Sequence, residues 1–385
     1  MPHPKLQHLA STGGFIPNGG YPWQEVVHNG DFVVMNELVR GLPYFFENRK
    51  MNKLVAELPI FSIPDLLAGL QVEEREALRR DFAFLVAAYY HTHDDDPTTP
   101  VVIPSKLATP LVYLSGRTNG PMMMPTLSYY HYALANFCRL DPKGSFDVDN
   151  IRMLRNFVTV MDEQWFMMVH VAIEAQVGDL LKYALGALNV FEVQQVDEGL
   201  LIHNLNQMAG VVSKMVNIFE QMPLGCSPEV YYLYVRKQIM PFTRVVFEGV
   251  RGFDTPRDFK AGETGAQSCI APTLDAFLKI THPPTGGYDY VKLMRGFMPP
   301  AHLAMIQEVE SNNIKLREYC NMHKNQLLKD AFNNLVSWFA AFRALHYKYA
   351  TDYIFKKVAD HTGTGGTHAS VWLKQLHETT LDHRI

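Results

Sequence analysis

The sequence predicts an all-α fold, a smaller N-terminal helical domain followed by a larger helical one. Three observations carry this reading. Apolar residues keep helical spacing over long stretches, strand-like alternation is scarce, and a proline-rich stretch at 93–126 interrupts the pattern. Residues 1–30, with GG, PNGG and YPW, read as an irregular opening segment, and helices are expected at about 31–48 and 72–92. The 93–126 stretch holds HDDDPTTP, IPSKLATP and NGPMMMP. Each proline lacks an N–H, so this is read as a long connection without much helix. It marks the expected boundary between a domain over 1–120 and one over 121–385. Beyond it, helices are expected at about 127–140, 149–190, 195–222, 228–240, 268–281, 299–322 and 326–358, with a Pro241 stop after the helix carrying Arg236. Residues 251–267 and 361–368 read as Gly-rich loops.

Two of these helices carry countable stripes. Leu201, Leu205, Met208, Val212, Met215 and Phe219 mark one apolar face of a long helix. Leu328, Phe332, Leu335, Phe339, Phe342, His346, Tyr349 and Tyr353 mark another, and His346 sits inside the stripe. The long helices are expected to enclose space between them.

Composition narrows the class. The chain has 385 residues, room for two or three domains at roughly 100–200 residues each. It is 47% apolar, which excludes disorder as the main state. The formal net charge is −4, so no basic excess points to nucleic acid or an anionic membrane. Four cysteines, none in CxxC spacing, argue against a zinc ribbon, a redox pair and covalently attached haem, and suit a reducing cytosol. The N-terminus has no apolar core of a signal peptide, and the longest clean apolar run, Phe82 to Tyr90, is far short of a spanning helix. A soluble, cytoplasmic protein is expected.

Two histidines stand out. His346 on its aromatic stripe is either a core histidine satisfied by a hydrogen bond or a metal or haem ligand, since axial ligation needs a neutral imidazole on a rigid face. Arg343, one turn earlier, either pairs with a haem propionate or is solvated. His170 lies on a second stripe, Phe166, His170, Ile173, Val177 and Leu180. It is a satisfied core residue or a pocket residue; both histidines could flank one iron. HTHDDD at 91–96 is read as a hydrated acidic turn rather than a metal cluster. Residues 363–367, GTGGT, lack the ending of a phosphate-binding loop, and no GxSxG, HExxH or kinase signature occurs.

Taken together, the motifs resemble the haem-containing indoleamine 2,3-dioxygenase family over nearly the whole chain. They are Gly14-Phe15, SYYHYALANF at 128–137, WFMMVHVAIEA at 165–175, YYLYVR at 231–236, FEGV at 247–250, GETGAQS at 262–268, MRGFMPPAH at 294–302, RALHYKYATDYI at 343–354 and GTGGT at 363–367. The resemblance implies a two-domain helical fold with b-type haem in the large domain. It implies insertion of both atoms of O₂ across the indole C2–C3 bond of L-tryptophan, giving N-formylkynurenine for kynurenine metabolism, with an electron donor keeping iron ferrous.

By motif matching, His346 is the proximal ligand, Asp275 an acid near it that fixes the imidazole tautomer, and Arg343 the propionate partner. Phe166, Tyr129 and Tyr231 match substrate-pocket positions, and Arg236 matches the arginine holding the substrate carboxylate. Thr264 and Gly265 match a loop touching haem and substrate; Gly363 and Thr364 match a loop closing over the amino acid. Two positions depart from the pattern. Tyr231 stands where Phe is common. His170 stands where animal members carry a small hydroxyl residue, and it is similar to the distal histidine of the sister family, tryptophan 2,3-dioxygenase. Three alternatives remain open: a mono-oxygenase of the same fold acting on another indole, a non-enzymatic bis-histidine haem protein, and a helical binding module without haem. A substrate lacking a carboxylate would leave the Arg236 guanidinium without its partner, which argues against the first.

Overall fold

A computed structural model describes residues 3–22, 24–62, 69–116, 124–283, 286–357 and 369–385, the side chains of 286–288 excepted. It is all-α, 65% helical with 4% strand. The helix Glu198–Phe219 packs along the helix Gln326–Tyr353. Helix Val177–Asn189 lies against the first and helix Ala369–Leu381 against the second. Both counted stripes face inward: Leu201, Leu205, Met208, Val212 and Met215 meet Leu328, Phe332, Leu335 and Phe339 in one core. Asn325 starts the longest helix by accepting N–H bonds from Leu327 (3.1 Å) and Leu328 (3.4 Å), two of the donors a helix leaves free at its N-terminus. Among the described residues no helix is long and apolar enough to cross a membrane.

The opening segment is more ordered than expected. Pro4–Ser11 is a helix whose buried Leu6 and Leu9 join the core. Proline at its first turn needs no hydrogen-bond partner. The Glu308 carboxylate accepts the N–H groups of Lys5 (3.0 Å) and Leu6 (2.9 Å), so a distant helix supplies the cap. The proline-rich connection also holds structure. Val101–Ile103 pairs in parallel with Val245–Phe247, and Ser105–Ser115 is a helix with Pro110 inside it. Buried Leu107, Ala108, Leu111 and Leu114 pack it on the helix Val72–His93 and offset the one backbone bond that Pro110 removes.

Several expected helices are interrupted. Residues 31–48 divide at Gly41 into Gly30–Arg40 and Leu42–Glu47. In place of one helix at 127–140, a wide π turn at Tyr130–Leu134 leads into strand Phe137–Arg139, which pairs antiparallel with Ile151–Met153. Asn136 donates from its side chain to the carbonyls of Tyr132 and Arg155, both at 2.8 Å, and ties that corner down. The 149–190 stretch yields that strand and two helices, Met161–Glu174 and Val177–Asn189. Residues 228–240 are three short turns, with a π turn at Tyr231–Val235 and a 3₁₀ turn at Arg236–Ile239. The wide turn brings Tyr231 and Val235 inside.

Candidate haem and substrate site

His346 occupies the part of its helix where the stripe leaves the core. Phe339 above and Tyr349 below are buried, while Phe342 and His346 are half-buried and line a cavity. Its ring centroid lies 6.3 Å from that of Phe219, and it makes no hydrogen bond to any described residue. The bond that a satisfied core histidine would need is therefore absent among them. Burial, assisted by His170 and Arg343, lowers its pKa to about 4, so the imidazole is neutral.

His170 is fixed more tightly. Its Nδ1 lies 2.7 Å from the Phe166 carbonyl one turn back. A carbonyl only accepts, so Nδ1 carries the proton and Nε2 is left as an acceptor. Burial lowers this pKa also to about 4. The ring sits 4.5 Å from Phe166, 5.7 Å from Tyr129 and 6.3 Å from the same Phe219.

Two adjoining cavities meet at this pair. The first, about 280 Å³, is lined by Tyr129, His170, Glu174, Ser268, Asp275, Arg343 and His346 among others. The second, about 120 Å³, has Phe166, Tyr231, Glu263, Thr264 and Tyr353 in its wall; His170, Phe219, Gly265 and His346 belong to both. Gly265 has nothing within 4 Å of where a Cβ would stand, so the loop approaches the space without intruding. Thr264 holds that loop by accepting from the Ala266 N–H at 3.3 Å. At Gly262 a Cβ would lie 2.1 Å from the Ile239 carbonyl oxygen, so two chain segments touch there backbone to backbone. Arg236 lies on the adjoining turn with its guanidinium 5.5 Å from the Tyr232 ring, and it lines neither cavity. Gly363 and Thr364 lie outside the described residues.

Arg343 is not solvated. It is 7% exposed and donates to Asp275 Oδ2 at 2.6 Å and to the Thr380 hydroxyl, with its guanidinium 4.1 Å over Phe339. His282 also meets Asp275 Oδ2, at 3.1 Å. Burial works to raise the Asp275 pKa, but Arg343 and His282 outweigh it and hold the carboxylate below its ordinary value. The structure thus gives Asp275 to Arg343 rather than to His346, and its Oδ1 has no bond among the described residues.

Two carboxyls join the site without notice from the sequence. Glu174, fully buried, accepts from the Ser268 hydroxyl (2.6 Å) and the Tyr129 hydroxyl (3.1 Å), and its Oε2 has no described partner. Burial lifts its pKa to about 7. Glu263 is 2% exposed in the second cavity, and burial alone lifts its pKa to about 8. The spacing His170–Glu174 is four residues, one helical turn, and that signal could have found the first. In HTHDDD, His91, Thr92 and His93 end the helix Val72–His93 and only the three aspartates leave it: Asp96 accepts from the Thr98 N–H (2.8 Å) and from the hydroxyls of Thr98 and Thr99 (both 2.7 Å), while Asp95 pairs with Arg49.

These residues fit haem. Two neutral imidazoles open onto joined cavities, aromatic rings form much of the lining, and a buried arginine–carboxylate pair stands at one side. The class so defined is an all-α haem protein. The chain belongs to the indoleamine 2,3-dioxygenase family, whose model matches residues 7–361. It is 28% identical to indoleamine 2,3-dioxygenase 1 of Rattus norvegicus, over 89% of this chain and 87% of that one. It is 24% identical to indoleamine 2,3-dioxygenase of Saccharomyces cerevisiae, over 91% and 87%. It is also 24% identical to a protein of Haliotis madaka named myoglobin, over 97% and 96%. Members of the family are haem-dependent dioxygenases, and the chain is an oxidoreductase of that kind, using haem, O₂ and an indole.

Proposed function

We propose that the chain opens the indole ring of L-tryptophan by inserting O₂ at C2–C3, with N-formylkynurenine as product and b-type haem held by His346. One observation carries the reading: a neutral His346 without a hydrogen bond shares its cavities with a neutral His170 whose Nε2 is fixed as an acceptor. Haem, when bound, supplies the ferrous iron that activates O₂, and an electron donor keeps it reduced. His346 is its ligand, and Arg343, steadied by Asp275, pairs with its peripheral carboxylates. Thr264 and Gly265 border haem and substrate.

His170 Nε2 accepts the indole N–H and turns the ring. Phe166, Tyr129 and Tyr231 wall the pocket and exclude water, so the chain accelerates the reaction by holding both reactants in one geometry. Arg236, on the turn beside the second cavity, reads the substrate carboxylate. The location is the cytoplasm; no nucleic acid or membrane takes part. The test is anaerobic reduction, then L-tryptophan and O₂, with N-formylkynurenine read by its near-ultraviolet absorbance. Tryptophan that binds and is returned unchanged would overturn the reading.

A second reading, in which His170 and His346 both bind the iron in the resting protein, is favoured by the lining they share in both cavities. A six-coordinate low-spin spectrum in both oxidation states, unmoved by CO, would establish it instead.

A further inference from the structure

One group in the second cavity has no part in this reading. Among the described lining residues there Glu263 is the only Asp or Glu, and no described Lys or Arg accompanies it. Phe166, Tyr231, Tyr290, Tyr349, Tyr353 and Trp372 line the same cavity. Glu263 makes no hydrogen bond or ion pair with any described residue. The described lysines and arginines of the site line the other cavity, where Lys279, Lys292, Arg295 and Arg343 are found.

A buried carboxylate without a partner is strongly unfavourable, so in the empty cavity Glu263 holds a proton, and it releases that proton to solvent when a cation arrives to pair with the carboxylate. Aromatic rings also attract a cation through their quadrupoles. Carboxyl and rings therefore select the same ligand chemistry, a protonated amine on an aromatic body, and they disfavour an anion. The loop is built to hold Glu263 in place. Gly262 before it is pressed on the Ile239 carbonyl, and Thr264 after it caps the turn Gly265–Gln267.

We propose that Glu263 is the counter-ion for the ammonium group of the substrate and sets the preference of this site for amine-bearing indoles over indoles with only a carboxylate. The inference rests on the reading above that the site takes an indole. It concerns the second charged group on the α-carbon, beside the carboxylate assigned to Arg236.

The experiment is titration calorimetry on ferric holoenzyme, comparing wild type, Glu263→Gln and Glu263→Asp, each checked for haem content. The probes are tryptamine and indole-3-propionate, then phenethylamine and 3-phenylpropionate, which ask the same question without an indole. In Glu263→Gln, tryptamine affinity should fall tenfold or more while indole-3-propionate stays within about threefold, as expected for one charge-assisted contact. Glu263→Asp, which keeps the charge, should recover part of the amine binding. Equal weakening of amine and acid, unchanged tryptamine affinity, or loss of haem from Glu263→Gln would each overturn the assignment. Wild type that binds phenethylamine through Glu263 yet neither indole would sink the indole reading and leave the counter-ion standing. Indoles bound normally with no dependence on Glu263 would sink the counter-ion alone.

Discussion

Replacing His170 by Ser tests whether the imidazole meets the indole nitrogen. The Phe166 carbonyl, 2.7 Å away, takes the Nδ1 proton, so Nε2 can only accept while the ring is neutral. A net neutral hydrogen bond is worth about 0.5–1.5 kcal/mol, which is roughly 2- to 12-fold in a rate or binding constant. An N-methyl group on the substrate removes the donor and crowds the ring. The ratio of kcat/KM for tryptophan to that for 1-methyltryptophan should therefore fall about 2- to 12-fold in His170→Ser. Losses from deleting a ring packed 4.5 Å from Phe166 affect both substrates and cancel in the ratio. The wild-type ratio should also stay flat with pH down to about one unit above the His170 pKa of about 4, since the acceptor is lost only on protonation. A ratio that does not change on substitution would refute the contact. A ratio that breaks near pH 6.5, the ordinary histidine value, would refute the burial argument.

His346→Ala should lose most of its haem, and added imidazole should restore the absorption spectrum in part; normal haem content without imidazole would defeat the assignment. Arg236→Ala should raise the KM for tryptophan by about ten- to a hundredfold, the value of a charged hydrogen bond at roughly 1.5–3 kcal/mol, and leave unsubstituted indole unaffected; parallel losses would assign the residue to folding. Burial raises the Glu174 pKa from 4.5 to about 7, so across that window the folded chain keeps a proton that the unfolded chain releases, and stability declines as pH rises. Glu174→Gln should flatten urea midpoints measured from pH 4.5 to 7, removing a decline of about 3 kcal/mol at most, and a slope equal to wild type would show that Glu174 does not titrate there.

The parts of the fold that follow helical periodicity were legible. The stripe from Leu328 to Tyr353 repeats with the helix, so its buried face, and the place of His346 on it, could be read directly. Elements fixed by distant partners could not. Pro4–Ser11 is capped by Glu308, and Ser105–Ser115 survives Pro110 through its packing on another helix. Only tertiary contact supplies either stabilisation. The same limit applies to the site. The two histidines share a residue type and an apolar setting that mark them out. Glu263 sits in a Gly-rich loop with no period, and its burial exists only once other segments close over it. Motif matching sets Asp275 near His346, whereas its carboxylate meets Arg343, a contact made by the direction of a side chain, which spacing does not encode.

The close backbone approach at Gly262 has a consequence for how this pocket can be altered. Any side chain at 262 would push against Ile239, the last residue of the turn that carries Arg236, and against Met240, which follows it. The segment bearing Glu263 and the segment bearing Arg236 are therefore shouldered together across a gap with no room for one methyl group. Libraries that vary the two segments separately will sample many incompatible pairings. Variation drawn jointly, with 262 kept as glycine, keeps that fit, and evolutionary drift at either segment is expected to be answered at the other.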